Sequence, residues 1–196
     1  ELLIHLTLRF SGRMIVNDPT RERKKGPRDL DGRNVTGKAP VLRPDGSAYL
    51  PAESLRGALR SQARRIWQTV HFETANLNDV PRRSLNPRNI AEVKTKLPGF
   101  QQLFGAGGWQ SPFFIPDFNL ASPARQQTQH FVAIDRFHGG AAANRKFQSL
   151  ALDRPVFSGT VCLNLKKLQN TGPEIGEWFF IFLLFLLRDL KEGDIL

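Results

Sequence analysis

Apolar and polar residues alternate along the first ten residues of the chain, which is typical of a half-buried β-strand. The alternation runs from Leu2 to Phe10 and stops at Ser11-Gly12. After Pro51 the apolar spacing changes to every third or fourth residue, which predicts an amphipathic helix. Its apolar face would consist of Leu55, Leu59, Ile66 and Val70.

The second half of the chain predicts three strands and a final helix. The strand-like segments are 113–118, 129–134 and 156–165, and a protruding hairpin is expected over about 136–155. The helix covers 174–190 and would place Trp178, Ile181, Phe182 and Phe185 on one face. This order predicts an α+β, ferredoxin-like (RRM-like) βαββαβ domain from which the final strand is missing.

Two segments contain too much proline, glycine and polar sequence for a regular element. Residues 13–47 include the basic cluster Arg21-Glu22-Arg23-Lys24-Lys25, and residues 71–98 resemble an insertion. Loops as long as the first are usually functional or disordered. A length of 196 residues with 40% hydrophobic residues predicts a single domain over 1–196.

The net charge of the chain indicates which kind of partner it binds. The chain has 28 Lys and Arg against 18 Asp and Glu, a net charge of +10. Residues 1–98 carry 19 basic and 10 acidic side chains, whereas residues 99–196 carry 9 and 8. Such an excess favours nucleic acid or an acidic surface as partner, and the first half should supply most of the binding surface.

Several other classes of protein are disfavoured by the sequence. Cys162 is the only cysteine, so the chain can form neither an internal disulfide nor a cysteine-based zinc site. The four histidines lack metal-ligand spacing, and neither a Walker loop nor a dinucleotide fingerprint is present. We therefore predict no structural metal.

The apolar run 178–187 has ten residues and is closed by Arg188-Asp189. A membrane-spanning helix needs about 20 apolar residues, so this run is predicted to be a buried core helix or strand. No positively charged leader precedes the first strand. We expect a cytoplasmic protein without a membrane partner.

The start of the predicted helix combines features that suit an anion. Pro51 pre-sets a helical first turn, Ser54 can cap free N–H groups, and a helix N-terminus attracts phosphate. Arg56, Arg60 and Arg64 recur on one face, although a solvated arginine face of an ordinary helix has the same spacing. Gly57 costs about 1 kcal/mol relative to alanine, which suggests that a neighbouring backbone or a ligand needs the missing side chain.

The segment Tyr49–Arg60 resembles the "YIPGSSLKGALR" signature of the RAMP superfamily, and within it the Cas-seven-type backbone domains of type III CRISPR effectors. Ala52 and Glu53 stand where Gly and Ser are usual. The resemblance runs from about residue 2 to the C-terminus. Its further motifs follow in the family's order: Leu103-Phe104-Gly105 with Ile115-Pro116-Asp117, Ala133-Ile134-Asp135-Arg136, and Phe157-Ser158-Gly159-Thr160.

The resemblance implies a domain that holds CRISPR guide RNA by its phosphates, while a thumb hairpin displaces one base of the guide–target duplex. Its partners would be guide RNA, target RNA and other RAMP subunits or fused RAMP domains. The residues implied at the helix start and groove are Arg13, Lys38, Ser54, Leu55, Arg56, Gly57 and Arg60. Those implied for the thumb and its wedge are Arg136, Phe137, Arg145, Lys146 and Phe147.

The resemblance also disfavours catalysis by this unit, because Lys38 stands where some type III members present the Asp that cleaves target RNA. Asp29 and Asp31 lie upstream and are the alternative catalytic candidates, although both can simply neutralise Arg28 and Arg33. We expect a non-catalytic unit without cofactor. The alternatives are an endoribonuclease, for which Mg²⁺ becomes possible, and a generic basic RNA-binding domain. The absent closing strand suggests a piece of a longer fused polypeptide.

Overall fold

The computed structural model describes residues 1–18, 37–70, 97–169 and 173–195. Within them, the chain forms nine strands and four helices. The strands are β1 (Leu2–Arg9), β2 (Arg13–Met14), β3 (Gly37–Lys38), β4 (Tyr49–Leu50), β5 (Phe113–Phe114), β6 (Phe118–Leu120), β7 (Arg125–Ile134), β8 (Ala141–Asp153) and β9 (Val156–Leu163). The helices are α1 (Ala52–Val70), α2 (Gly99–Phe104), α3 (Leu165–Gln169) and α4 (Pro173–Glu192). The predicted α+β class is confirmed.

The strands form two sheets. One has the order β1-β9-β6-β4, with β5 also paired to β9, and its pairs β4–β6, β5–β9 and β6–β9 are antiparallel. In the other, β8 pairs antiparallel with β7 along one edge. Along its other edge, β8 pairs antiparallel with β2 and parallel with β3. Mixed helices and largely antiparallel sheets are consistent with a ferredoxin-like domain carrying a long hairpin.

The chain divides into two compact units. Unit 1 comprises Glu1–His5, Ala52–Pro116 and Thr160–Leu196, and unit 2 comprises Leu6–Pro51 and Asp117–Gly159. Each has its own buried apolar side chains, because a sheet face or helix stripe is stable only when covered. The largest in unit 1 are Leu55, Leu103, Phe104, Leu163 and Leu186, and in unit 2 Leu50, Phe118, Leu150 and Phe157.

In unit 1, α1 packs along α4 through one polar and one aromatic contact. Gln62 Nε2 donates to Asp189 Oδ2 at 2.8 Å, and the rings of Trp67 and Phe182 meet edge to face with centroids 6.5 Å apart. The buried face of α1 consists of Leu55, Leu59 and Ala63. The predicted face was therefore right for its first two members and wrong for Val70, which is half exposed.

The buried face of α4 also differs from the predicted one. Phe179, Phe182, Leu183 and Leu186 are buried, whereas Ile181 and Phe185 are exposed. Periodicity could not choose between these faces, because apolar residues occupy every side of the run. Trp178 lies outside the described side chains. Among the described residues, no helix is both long and apolar enough to cross a membrane.

In unit 2, backbone pairing corrects the predicted boundaries. Residues 13–47 were expected to lack regular structure, yet β2 and β3 pair with β8 because strand pairing depends on distant partners. The predicted strand 113–118 is split into β5 and β6 around Pro116, which has no N–H to donate. The hairpin also begins earlier than predicted, since its first arm is β7. The predicted loop 71–98 lies almost wholly outside the described residues.

Candidate nucleic-acid interface

The first turns of α1, residues 52–60, are called the arginine turn below. The helix begins at Ala52, so Pro51 immediately precedes it and Ser54 lies in the first turn. Ser54 therefore lies within the helix rather than at the residue that precedes it. Ser54, like Glu53, is exposed, whereas Leu55 is fully buried and fixes this end of the helix to the core of unit 1.

Gly57 leaves open space on the arginine turn. Among the described residues, no atom would lie within 4 Å of a Cβ built on Gly57. No described part of the chain therefore explains this glycine by close packing. That a ligand needs the missing side chain stays a prediction.

Arg56 and Arg60 are held by backbone carbonyls of unit 1. Arg56 Nη1 donates to Phe113 O at 3.1 Å, and Arg56 Nη2 donates to Phe104 O. Arg60 Nη1 donates to Gly105 O at 3.3 Å. Burial lowers the pKa of Arg56, and the positive charge of Arg60 lowers it further. The periodicity of the sequence gave no signal for these carbonyl partners, since all three are distant in the chain.

The carbonyls belong to a tightly built segment that begins with the last residue of α2. Gly105 has φ 86°, and a Cβ there would lie 3.1 Å from both Ser111 N and Trp109 O. Ser111 Oγ lies 2.6 Å from Leu103 O and accepts a hydrogen bond from Phe113 N–H at 3.0 Å. The Leu103-Phe104-Gly105 motif thus forms a rigid partner for the two arginines, because only glycine adopts this backbone without strain.

The Phe157-Ser158-Gly159-Thr160 motif has a packing role in unit 2. A Cβ on Gly159 would lie 2.2 Å from the ring of Phe118, which is fully buried. Phe157 is buried as well and meets the ring of Phe10 edge to face, with centroids 6.1 Å apart. The glycine is therefore required for the Phe118 ring to fill this core.

The hairpin turn, residues 135–140, is built by one carboxylate and the backbone. Asp135 N–H donates to Gly140 O, and Gly139 N–H donates to Asp135 O, both at 2.8 Å. Asp135 Oδ1 accepts hydrogen bonds from Phe137 N–H at 2.8 Å and His138 N–H at 3.4 Å. These bonds lower the pKa of Asp135. They also leave Phe137 96% exposed and Arg136 exposed beside it.

The remaining predicted residues of the thumb and groove lie on the strands of the second sheet. Lys146 pairs with Val132 and Phe147 with Phe131 across the hairpin, and Arg145 precedes them on β8. The side chains of these three β8 residues are outside the described set.

On the other edge of β8, Arg13 pairs with Asp153 and Lys38 with Ser149, and both basic residues are exposed. Asp29 and Asp31 lie outside the described residues. The predicted binding residues therefore fall in both units, with Arg56 and Arg60 in unit 1 and the hairpin and groove residues in unit 2. In the part of the chain that the structure describes, no group of three metal-ligating side chains occurs.

Comparison with known proteins agrees with the motifs. A family model described as the RAMP superfamily matches residues 35–190, which is most of the chain. The match includes the arginine turn, the Leu103-Phe104-Gly105 motif and the whole hairpin. Comparison with curated protein sequences gave no match.

Proposed function

Since the chain belongs to the RAMP superfamily and is thus a CRISPR-associated RNA-binding domain, we propose that it is a guide-RNA-holding backbone domain of a type III effector. The observation that carries the proposal is the arginine turn. It joins the exposed Gly57 of the second turn, where a Cβ would meet no described atom, to two arginines that backbone carbonyls hold in place. A helix N-terminus with such neighbours suits a phosphate group.

The fixed arginines favour a phosphate contact rather than preventing one. A guanidinium has five N–H donors, and two of those of Arg56 donate to carbonyls. An arginine held in this way loses less conformational entropy when a phosphate arrives. Phosphate contacts give affinity without reading sequence, as a protein that accepts many guides requires.

The hairpin would act on the duplex rather than on the guide phosphates. Phe137 stands at the tip of the hairpin turn with almost its whole ring exposed. An apolar side chain presented this way can enter between base steps and unstack them. We therefore assign Phe137 as the wedge, with Arg136, Arg145, Lys146 and Phe147 as further RNA contacts. Guide–target pairing would supply the sequence specificity.

The proposal is tested by RNA affinity measured over a range of salt concentrations. Arg60→Ala should weaken binding uniformly across guide sequences and reduce the slope of log affinity against log salt by about one. Arg65→Ala is the matched control, because Arg65 is exposed on the same helix but lies outside the Arg56–Arg60 row. A loss confined to one guide sequence, or an equal loss in the control, would refute the proposal.

We further propose that this unit binds target RNA without cutting it efficiently. Lys38 lies on β3, and a cation there cannot serve as the carboxylate base. Positioned acid–base groups contribute about 10²–10⁴-fold, so cleavage opposite this unit should remain near background. Target cleavage by the assembled effector should be unchanged by Asp29→Ala and Asp31→Ala. If the parent cuts there and either variant abolishes the cut with RNA binding intact, the unit is an endoribonuclease.

A further inference from the structure

Unit 2 also presents a polar sheet face that lies outside the hairpin turn. The alternation along β1 leaves Thr7 and Arg9 exposed while their neighbours are partly buried. On β6, Asn119 is exposed between the buried Phe118 and the partly buried Leu120. Asn119 pairs with Ser158 of β9 on one side and with Tyr49 of β4 on the other. Hydroxyl and amide groups thus form a row across neighbouring strands.

Arg43 is fixed at the end of this row. Its guanidinium carbon lies 4.6 Å from the centroid of the Tyr49 ring, and its Nη2 donates to Asn119 Oδ1 at 2.9 Å. The same nitrogen lies 3.7 Å from Asp117 Oδ2. A tight turn holds the backbone as well, since Arg43 N–H donates to Ser47 O and Gly46 N–H donates to Arg43 O. The side chain is nonetheless 37% exposed.

We propose that Arg43 and Tyr49 form a stacking platform for one unpaired RNA base, with Asn119 and Ser158 beside it to contact the base edge or the ribose. This inference rests on the proposed RNA-binding function and adds a base contact to it. RNA-binding proteins stack splayed bases on arginine planes as well as on aromatic rings. A planar guanidinium that is already held in place suits this role.

The surroundings of Arg43 favour a base over a phosphate. Asp117 offsets part of the arginine charge and would repel a phosphate at the same place. The neighbouring outward side chains of Asn119 and Ser158 are uncharged donors and acceptors, which suit base edges and 2′-hydroxyl groups. This cluster therefore differs from the arginine turn. Arg43 lies beside a carboxylate, whereas the partners that hold Arg56 are backbone carbonyls.

The test is a scan in which each base of a short single-stranded RNA is replaced in turn by an abasic ribose. In the parent domain, one abasic position should weaken binding by at least about fivefold, the lower end of what stacking on a side chain contributes. The Arg43→Lys variant keeps the positive charge but lacks the planar guanidinium. In this variant, the abasic ribose at that position should not weaken RNA binding further. The salt slope should be the same in both proteins.

Arg154→Lys is the matched control, because Arg154 belongs to the same unit and also lies beside a carboxylate, with Nε 3.6 Å from Asp153 Oδ2. It should keep the full abasic penalty. Asn119→Ala, which removes the hydrogen bond that holds Arg43 together with the proposed contact of Asn119 to the base or ribose, should also show a reduced penalty and serves if Arg43→Lys fails to fold. If no abasic position weakens binding to the parent while RNA binding stays salt-dependent, the stacking platform is refuted and the proposed function is not. Absence of salt-dependent RNA binding overturns the proposed function with it.

Discussion

The arginine turn and the hairpin turn present basic side chains in opposite ways. In the arginine turn, carbonyl groups from a buried segment hold Arg56 and Arg60, so the guanidinium groups belong partly to the core of unit 1. In the hairpin turn, Asp135 and the backbone make the hydrogen bonds that hold the turn, whereas the side chains of Arg136 and Phe137 are exposed. The first arrangement suits a fixed phosphate contact, and the second suits insertion of a side chain into a duplex.

The largest difference is expected in the free energy of unfolding, between variants of Phe104, which partners the arginine turn, and of Phe137 in the hairpin turn. Phe104→Ala should lower the free energy of unfolding by about 3–5 kcal/mol, because Phe104 is buried and packs on Phe113 with ring centroids 5.6 Å apart. Phe137→Ala should change it by less than about 0.5 kcal/mol. Urea denaturation measures both.

Phe137→Ala should also leave guide affinity nearly intact while changing base exposure at one position of the guide–target duplex. Chemical probing of the bases measures this, with Phe114→Ala as the control because Phe114 is also exposed but lies outside the hairpin. Unchanged reactivity along the whole duplex would show that Phe137 is not a wedge.

The next difference concerns the glycines of the two regions. Gly105→Ala should destabilise the protein by roughly 1–3 kcal/mol, because the backbone at φ 86° is strained for alanine and the Cβ meets backbone atoms. Gly139 also has a positive φ, of 66°, but a Cβ there would meet no described atom within 4 Å. Gly139→Ala should therefore destabilise the protein less, by about 1 kcal/mol. Thermal unfolding compares the two. Equal losses would mean that crowding at Gly105 contributes nothing.

A smaller effect should separate stability from binding within the arginine turn. Gly57→Ala should stabilise the protein by up to about 1 kcal/mol, because alanine favours the helix and its Cβ would meet no atom in the described part of the chain. RNA affinity should nevertheless fall, since the methyl group occupies the space proposed for the RNA backbone. Fluorescence anisotropy and thermal unfolding measure the two effects. Unchanged affinity would place the RNA elsewhere.

The smallest effect concerns pH and is local to the hairpin turn. Hydrogen bonds from Phe137 and His138 lower the pKa of Asp135, so the ionised carboxylate stabilises the turn. This contribution is present above the unfolded pKa of about 4 and is lost as the pH falls through the lower folded value. Amide hydrogen exchange at Phe137 and His138 should therefore lose protection only in acid. Asp135→Asn should remove that pH dependence, and an unaltered profile in the variant would contradict the assignment.

Elements whose signals are local could be predicted from the amino-acid sequence alone. The alternation of β1, the amphipathic spacing of α1 and the ordered motifs were enough to predict an α+β, ferredoxin-like RAMP domain, which the family match and the mixed fold confirm. The apolar residues of 178–187 also lie on a helix, as one of the two predicted alternatives required. These features depend on residues a few positions apart, where propensity and periodicity act directly.

Features that depend on partners distant in the chain could be seen only in the folded protein. Pairing with β8 converts parts of residues 13–47 into β2 and β3, and packing selects which side of α4 is buried. The carbonyl partners of Arg56 and the cluster around Arg43 join residues between 6 and 76 positions apart. Helical spacing placed the arginines on one face, but only the folded chain brings the acceptors to them, because hydrogen-bond geometry is set by packing rather than by sequence spacing.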